Sequence, residues 1–249
     1  PDANNSELVG LSFAVKPCEG WYIPVPAAPP QTQAIVNEFK GVLENAAIAK
    51  TGQNIKYDIM ILKWYQVEVK GELFDTMMAH YIIDPDTRHN MDILAENYLG
   101  YKPVSITELI GPKGKNQGSM RDVELEKIKE YAAEDADITL QLKAIFETKI
   151  KEVDSEKLIN EIEHPLIYVL ADMEYEGVRI DQSALQDFSK ELETDIIKLE
   201  KTVYDKAGVR FNIASPKQLG EVLFEKLMLD PKAKKTKTGQ YQTGEDVLL

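Results

Sequence analysis

The spacing of apolar residues changes twice along the chain. The segments "SELVGLSFAV" (6–15) and "GWYIPVP" (20–26) are short and rich in β-formers, and they flank turn chemistry at "KPCEG" (16–20). That pattern predicts two strands joined by a turn. After "APPQTQ" the period lengthens: Ile35, Phe39 and Leu43 recur at helical spacing in "QAIVNEFKGVLENA". "AIAKTGQ" (47–53) reads as a short strand running into a helix over "NIKYDIMILKWY", with further helices at about 75–83, 90–99 and 123–152. Strands early, helices late and a strand–helix crossover between them predict an α/β fold for the first 150 or so residues.

Near Val153 the pattern becomes almost wholly helical. "SEKLINEIEHPLIYVLADMEYEG" (155–177) is followed by a long helix from Gln182 to about Lys206. Ser215-Pro216 has the chemistry of a helix start, a serine cap with proline in the first turn. "TGEDVLL" (243–249) reads as the opening turn of another helix. The division expected from patterning is therefore an α/β domain over 1–152 and a helical domain over 153–249.

Composition narrows the chemistry. The 249 residues are 43% hydrophobic, enough for a real core, and no apolar run is long enough to span a bilayer. The first residues, "PDANNSELVG", lack the basic and apolar regions of a signal peptide, so a cytoplasmic protein with no membrane partner is expected; a monomer is expected as well. The single Cys18 excludes an internal disulfide, and three scattered histidines make a histidine-rich metal site improbable. A metal would be held by oxygen, which points to Mg2+ or Mn2+. A net charge of −13 argues weakly against nucleic acid. Two basic stretches run the other way: "GPKGKNQG" (111–118) and the five lysines of "EKLMLDPKAKKTKTG" (225–239). The first is not a P-loop, because Asn116 follows Gly114-Lys115 where Ser or Thr is needed.

One helix poses a problem. At 100° per residue, Ile128, Tyr131, Ala132, Asp135, Ile138, Leu142 and Ile145 share one stripe. Asp135 thus sits in an apolar face, where a carboxylate is costly unless paired, hydrogen-bonded or bound to metal. Glu134 and Asp137 point elsewhere and require only solvent. Tyr131 and Asp135 are one turn apart, as are Asn54 and Asp58 at the start of another helix. If those two faces meet, two carboxylates converge beside an amide and a phenol. That set suits two-metal phosphodiester hydrolysis, with Tyr131 orienting the attacking water. Taken alone, each pair is also an ordinary feature of a solvated helix. Asn90 or Asp92 could simply cap the helix at 90–99, and Arg88 and His89 before it could contact phosphate. Trp64 and most tyrosines read as core residues.

Several of these stretches together, "TGQNIKYD", "FDTMMAHYIIDPDTRHNMDILAENYLG", "IGPKGKNQ" and "YAAEDADITLQL", resemble the 3′→5′ proofreading exonuclease domain of the bacterial DNA polymerase I family, family A. "FNIASPKQLGEVLFEKLML" and "KKTKTG…TGEDVL" resemble the thumb that opens the same family's polymerase domain. The resemblance implies a ribonuclease H-like domain, a mixed sheet with flanking helices, followed by an all-α thumb segment. It implies Asp135 as a direct metal ligand, Asp58 as a ligand of a second metal through water, and Tyr131 as the residue that places the nucleophilic water. It implies that Gln53, Asn54, Arg88, His89 and Met91 line a groove for a single-stranded 3′ end. Lys232, Lys234, Lys235 and Lys237 would meet duplex DNA at the thumb.

The family's first exonuclease motif is Asp-x-Glu on a strand that would precede "NNSELVGLSFA", and this sequence does not contain it. A fragment is therefore expected, lacking the first strand, the palm and the fingers, with deoxynucleotides engaged only by the full enzyme. The two ions of the intact site are expected to bind weakly or not at all, and the fragment is expected to be inactive although its parent synthesises and proofreads DNA. One alternative is a catalytically dead exonuclease-like scaffold supporting a polymerase. Another is a free-standing exonuclease of the same fold acting on RNA, against which the thumb-like residues 155–249 argue.

Overall fold

The structure, a computed structural model, describes residues 2–248. The chain divides into two compact units, Pro1–Gly177 and Val178–Leu249.

In the first unit, β1 (Gly10–Lys16) and β2 (Glu19–Pro24) form the expected antiparallel hairpin, pairing Leu11 with Ile23 and Phe13 with Trp21. Cys18 takes a positive φ of 63° in the turn. Helix α1 (Pro29–Leu43) follows, opened by prolines at its first turn. Strand β3 (Lys50–Gly52) then leads into α2 (Ile55–Trp64). A short strand that periodicity did not reveal, β4 (Leu73–Asp75), lies parallel to β3 with Lys50, Thr51 and Gly52 opposite Leu73, Phe74 and Asp75. All three β4 residues are buried, so it has no polar alternation to read. It runs straight into α3 (Thr76–Ile83), and α4 (Met91–Leu99), α5 (Ile106–Ile110) and the long α6 (Leu125–Glu152) complete this stretch.

The mixed sheet expected from the sequence is present as two separate two-stranded ribbons, one antiparallel and one parallel. No strand among the described residues joins them; both lie against α6. Contact between α6 and the hairpin is close enough to need glycine. A Cβ on Gly20 would fall 2.5 Å from the Ala133 carbonyl oxygen.

The first unit does not end near residue 152. After α6, α7 (Glu156–Leu158) continues through a π-helical stretch (Ile159–Glu163) into α8 (His164–Glu176), which packs on α2. Ile167 and Ala171 are buried in the same core as Ile59, Met60 and Leu62 of α2. Helical patterning therefore changes at Val153 without a break in packing. A second core gathers Ala79, Leu94, Ala95, Ile138, Leu142 and Phe146 from α3, α4 and α6. Trp64, expected inside, is 49% exposed and lies against Tyr175 with ring centroids 4.6 Å apart.

The second unit holds α9 (Gln182–Ala207), capped by Asp181, then α10 (Pro216–Gly220), a π-helical turn (Glu221–Lys226) and α11 (Glu245–Leu248). Ser215 caps α10, its hydroxyl accepting from the Gln218 amide. The lysine-rich segment is a small turn closed by an antiparallel bridge between Lys235 and Tyr241. Lys235 lies over the Tyr241 ring at 4.1 Å, while the side chains of Lys232, Lys234 and Lys237 carry no such contact.

Candidate active site

Two helices bring the predicted carboxylates into the first unit, and each is fixed by a different device. The start of α2 is held by Asp75 at the end of β4. Its Oδ1 accepts from the amides of Asn54, Met77 and Met78, and its Oδ2 accepts from Ile55 at 2.7 Å. One buried carboxylate thus satisfies the open amides of two helices, α2 and α3, and its charge favours both positive ends. Asp75 is 4% exposed, and burial nevertheless pushes its carboxyl above the usual range against those four bonds. Its own amide donates to His164 Nε2 at 3.1 Å. Burial holds the His164 pKa down at about 4, so the ring is neutral near pH 7 and able to accept. Sequence reasoning missed both residues. The only available signal was an acid directly after the apolar Leu73-Phe74 and directly before a helical run.

With Asp75 serving α2, the residue at its N-cap position is released. Asn54 sits in the left-handed region at φ 59° and ψ 48°, and its side chain makes no capping bond. Asparagine tolerates that conformation better than most residues. The exposed amide is therefore free for a ligand. Asp58 follows in the first turn of α2. Its side chain keeps exposed surface, and surrounding protein and then the Asp75 charge push its carboxyl above the ordinary value, up to about 7.

On α6, Asp135 is half-buried, as its place in the stripe requires. Burial raises its carboxyl to about 7, the Tyr131 hydroxyl opposes the rise, and the charges of Glu134 and Asp92 add to it. Tyr131 is driven upward by burial and by Asp135, and stays a neutral phenol. No cationic side chain is among the groups that shift Asp58 or Asp135. The carboxylates acting on the two differ: Asp75 on Asp58, and Glu134 with Asp92 on Asp135. Among the described residues, no three His, Cys, Asp or Glu side chains gather as a metal site.

Glu134 and Asp137 do not merely face solvent. Glu134 accepts from the Tyr101 hydroxyl and, at 3.0 Å, from the Val104 amide, holding the segment after α4 against α6. Asp137 accepts from the Cys18 amide at 2.7 Å and from Gln141, pinning the positive-φ turn of the hairpin. Glu134 and Asp137 thus spend their oxygens on neutral donors of the chain, whereas the Asp135 carboxylate has neither such a donor nor a protein cation.

The remaining candidates surround the α2 start unevenly. Gln53 is committed: its Oε1 accepts from the Thr76 hydroxyl and its Nε2 donates to the His89 carbonyl at 2.7 Å. His89 is half-buried, and its ring meets His80. Met91 is packed at the edge of the second core. Arg88, directly before His89, is exposed. Asn90 occupies the N-cap position of α4 without a side-chain capping bond, and Asp92 lies in its first turn.

Comparison with known proteins gives this arrangement a family. The family model described as 3'-5' exonuclease matches residues 2–151, and the one described as DNA polymerase family A matches residues 182–249. The chain is 39% identical to DNA polymerase I of Pseudomonas aeruginosa over 99% of its own length and 28% of that protein's. It is 40% identical to DNA polymerase I of Rhizobium leguminosarum over 84% of its length and 20% of that protein's. It therefore spans about a quarter of the curated relatives it matches. Among solved structures, the POL domain of Pol1 from M. smegmatis, in complex with DNA primer-template and dNTP, superposes with a TM-score of 0.70 at 27% identity, covering 92% of this chain and 36% of that one. The chain belongs to the family A DNA polymerases, carrying that family's 3′–5′ exonuclease region and part of its polymerase region.

Proposed function

We propose that the first unit acts on the 3′ end of single-stranded DNA by phosphodiester hydrolysis, within a protein that also synthesises DNA on a template. The observation that carries this reading is Asp135: a half-buried carboxylate one helical turn from Tyr131, crowded by Glu134 and Asp92, with no protein cation to offset it. Crowded carboxylates of that kind suit a hard dication. Asp135 and Asp58 would hold Mg2+ or Mn2+, which when bound supplies Lewis acidity at the scissile phosphate. The chain's own residues then have separate tasks. Tyr131, kept neutral by its setting, offers a hydroxyl that can orient a water without competing as an anion. Asn54 presents an uncommitted amide at the start of α2, and Arg88 an exposed guanidinium that suits a phosphate. In the second unit, Lys232, Lys234 and Lys237 are the lysines of the 232–237 cluster free to meet a duplex backbone.

A second reading, a scaffold without catalysis, is favoured by a different observation: Asp58 and Asp135 are perturbed by different carboxylates, and no three metal-ligating side chains gather among the described residues. The test is digestion of end-labelled single-stranded DNA with magnesium or manganese. One protein is this chain; the other carries a strand bearing Asp-x-Glu fused ahead of Pro1. Digestion by the fused form, abolished by Asp135→Ala, is the expected result. A fused form that binds DNA without degrading it would establish the scaffold. Digestion by the chain itself would mean that Asp92 or Glu134 completes the site.

A further inference from the structure

His80 lies on α3 outside the groups assigned above, and it is 2% exposed with both ring nitrogens engaged. Nε2 meets the Tyr98 hydroxyl at 3.1 Å, and Nδ1 meets His89 Nδ1 at 2.7 Å. The ring packs edge to face with Tyr98 and against Phe146, whose centroid is 5.5 Å away. Two imidazole nitrogens at that separation hold one proton between them. Either Tyr98 donates to His80, which then donates to His89, or the whole chain of bonds runs the other way.

His89 is held twice. Its ring is tied to His80, and its carbonyl accepts from Gln53, itself bonded to Thr76. Gln53 directly precedes Asn54, and Arg88 directly precedes His89. The backbone beside Arg88 is therefore fixed to the backbone beside Asn54. Among the described residues, the stretch between α3 and α4, residues 84–90, has backbone ties to buried structure only at its two ends, the Asp84 amide donating to the His80 carbonyl and the Asn90 carbonyl accepting from the Leu94 amide.

We propose that His80 is a positioning residue that, through His89, locks the 84–90 segment so that Arg88 and Asn54 together receive a backbone phosphate of single-stranded DNA. This rests on the exonuclease reading only for its ligand; the lock itself stands on the geometry. It also has a signature in pH. The lock survives one added proton, because an imidazolium can donate to a neutral ring, but two N–H groups cannot face each other at this distance. The groups facing the pair are Asp84, Tyr98, Tyr81 against the His89 ring, and Lys149 over the Tyr98 ring. Burial, and then His89, hold His80 toward its neutral form.

The test uses the full chain with His80→Phe, which keeps a ring in the packed site, His89→Phe, and the double variant. Amide exchange is read as protection factors over 84–90 in the free protein. Binding of a fluorescein-labelled oligo-dT is read by anisotropy. Each single variant should lower protection over 84–90 by about tenfold, the factor one net hydrogen bond of this kind is worth. The double variant should lose no more than either single one, since both break the same contact. Wild-type protection should fall toward the variants' level as pH drops below the ordinary histidine range, whereas the variants should show no such step. Unchanged protection in His80→Phe, or fully additive losses, would overturn the lock. If wild type binds the oligonucleotide and His80→Phe binds it equally well despite a freed segment, the positioning role is refuted. If wild type itself does not bind while protection behaves as expected, the lock stands and the DNA reading fails.

Discussion

Replacing Asp75 with Ala should destabilise the first unit more than any change at the candidate catalytic residues. The carboxylate accepts four backbone N–H bonds at 2.7–3.2 Å from the starts of α2 and α3, in a position 4% exposed. Alanine leaves all four donors without an acceptor, and water has little access. Loss of a cap costs about 1 kcal/mol per helix, so two caps account for about 2 kcal/mol. The two donors beyond one per helix add about 1 kcal/mol each as unsatisfied buried groups. Relief of the buried carboxyl returns part of this, which leaves about 3 kcal/mol, a large share of the roughly 5–15 kcal/mol that holds a domain together. Asn should be intermediate. Its oxygen can keep the Oδ1 bonds, but its NH2 would face the Ile55 amide where Oδ2 now accepts. Both tryptophans, Trp21 and Trp64, lie in the first unit, so their fluorescence reports this unit alone during urea unfolding. With a slope of roughly 2 kcal/mol per M, Asp75→Ala should move the midpoint down by about 1.5 M. A shift below about 0.5 M would refute the argument, because the two helix starts would then have other acceptors.

Three further outcomes are expected. His164 has a pKa of about 4 in the fold against an ordinary 6.5, so the unfolded chain takes up a proton that the native state refuses between those values. Stability is then fully present above about pH 6.5 and lost as pH falls toward 4, by about 2 kcal/mol once residual solvation is discounted; His164→Gln should flatten that slope in urea midpoints measured from pH 7 to 5. Asp137→Ala removes the acceptor for the Cys18 amide at an exposed site, and should cost about 1 kcal/mol or less while speeding amide exchange at the hairpin turn. Replacing Lys232, Lys234 and Lys237 with Ala should flatten the salt dependence of duplex binding by a little under one unit per lost phosphate contact, whereas Lys235→Ala, whose charge already lies over Tyr241, should change it less.

Sequence periodicity exposed the elements whose one face is wet. The hairpin, α1, α2, α6 and α9 all carry alternation or a stripe, and each lies within a few residues of its expected span. It could not expose β4, whose three residues are buried on both sides, nor the continuity of packing through α8, because a helix lying on α2 has the same period as one in a separate domain. The same limit applies to the candidate site. Asp135 was legible because an acid in an apolar stripe contradicts its surroundings. Asp75 was not, because it follows a strand too short to recognise and its partners are backbone amides, which leave no mark in a sequence. His80 was hidden for a related reason: an imidazole in an apolar helix reads as filler until its two partners, Tyr98 and His89, are seen to approach from another helix and from the intervening loop.

That asymmetry bears on how the site is built. Residues that could touch a ligand, Asn54, Asp58, Arg88 and Asp135, have unspent polar groups, though only Asp135 stood out against its helical pattern. Residues that hold them in place, Asp75, Gln53, His89 and Glu134, have spent theirs on amides, carbonyls and hydroxyls of the same chain. Asn54 shows the dependence directly. An asparagine at the first position of a helix would ordinarily cap it, and its amide would then be unavailable. Because Asp75 supplies that cap from β4, Asn54 can turn into the left-handed region with its side chain uncommitted. Removing Asp75 should therefore do more than loosen two helices. It should draw the Asn54 side chain back into the vacated capping position, so that oligonucleotide affinity falls even in conditions where the first unit remains folded.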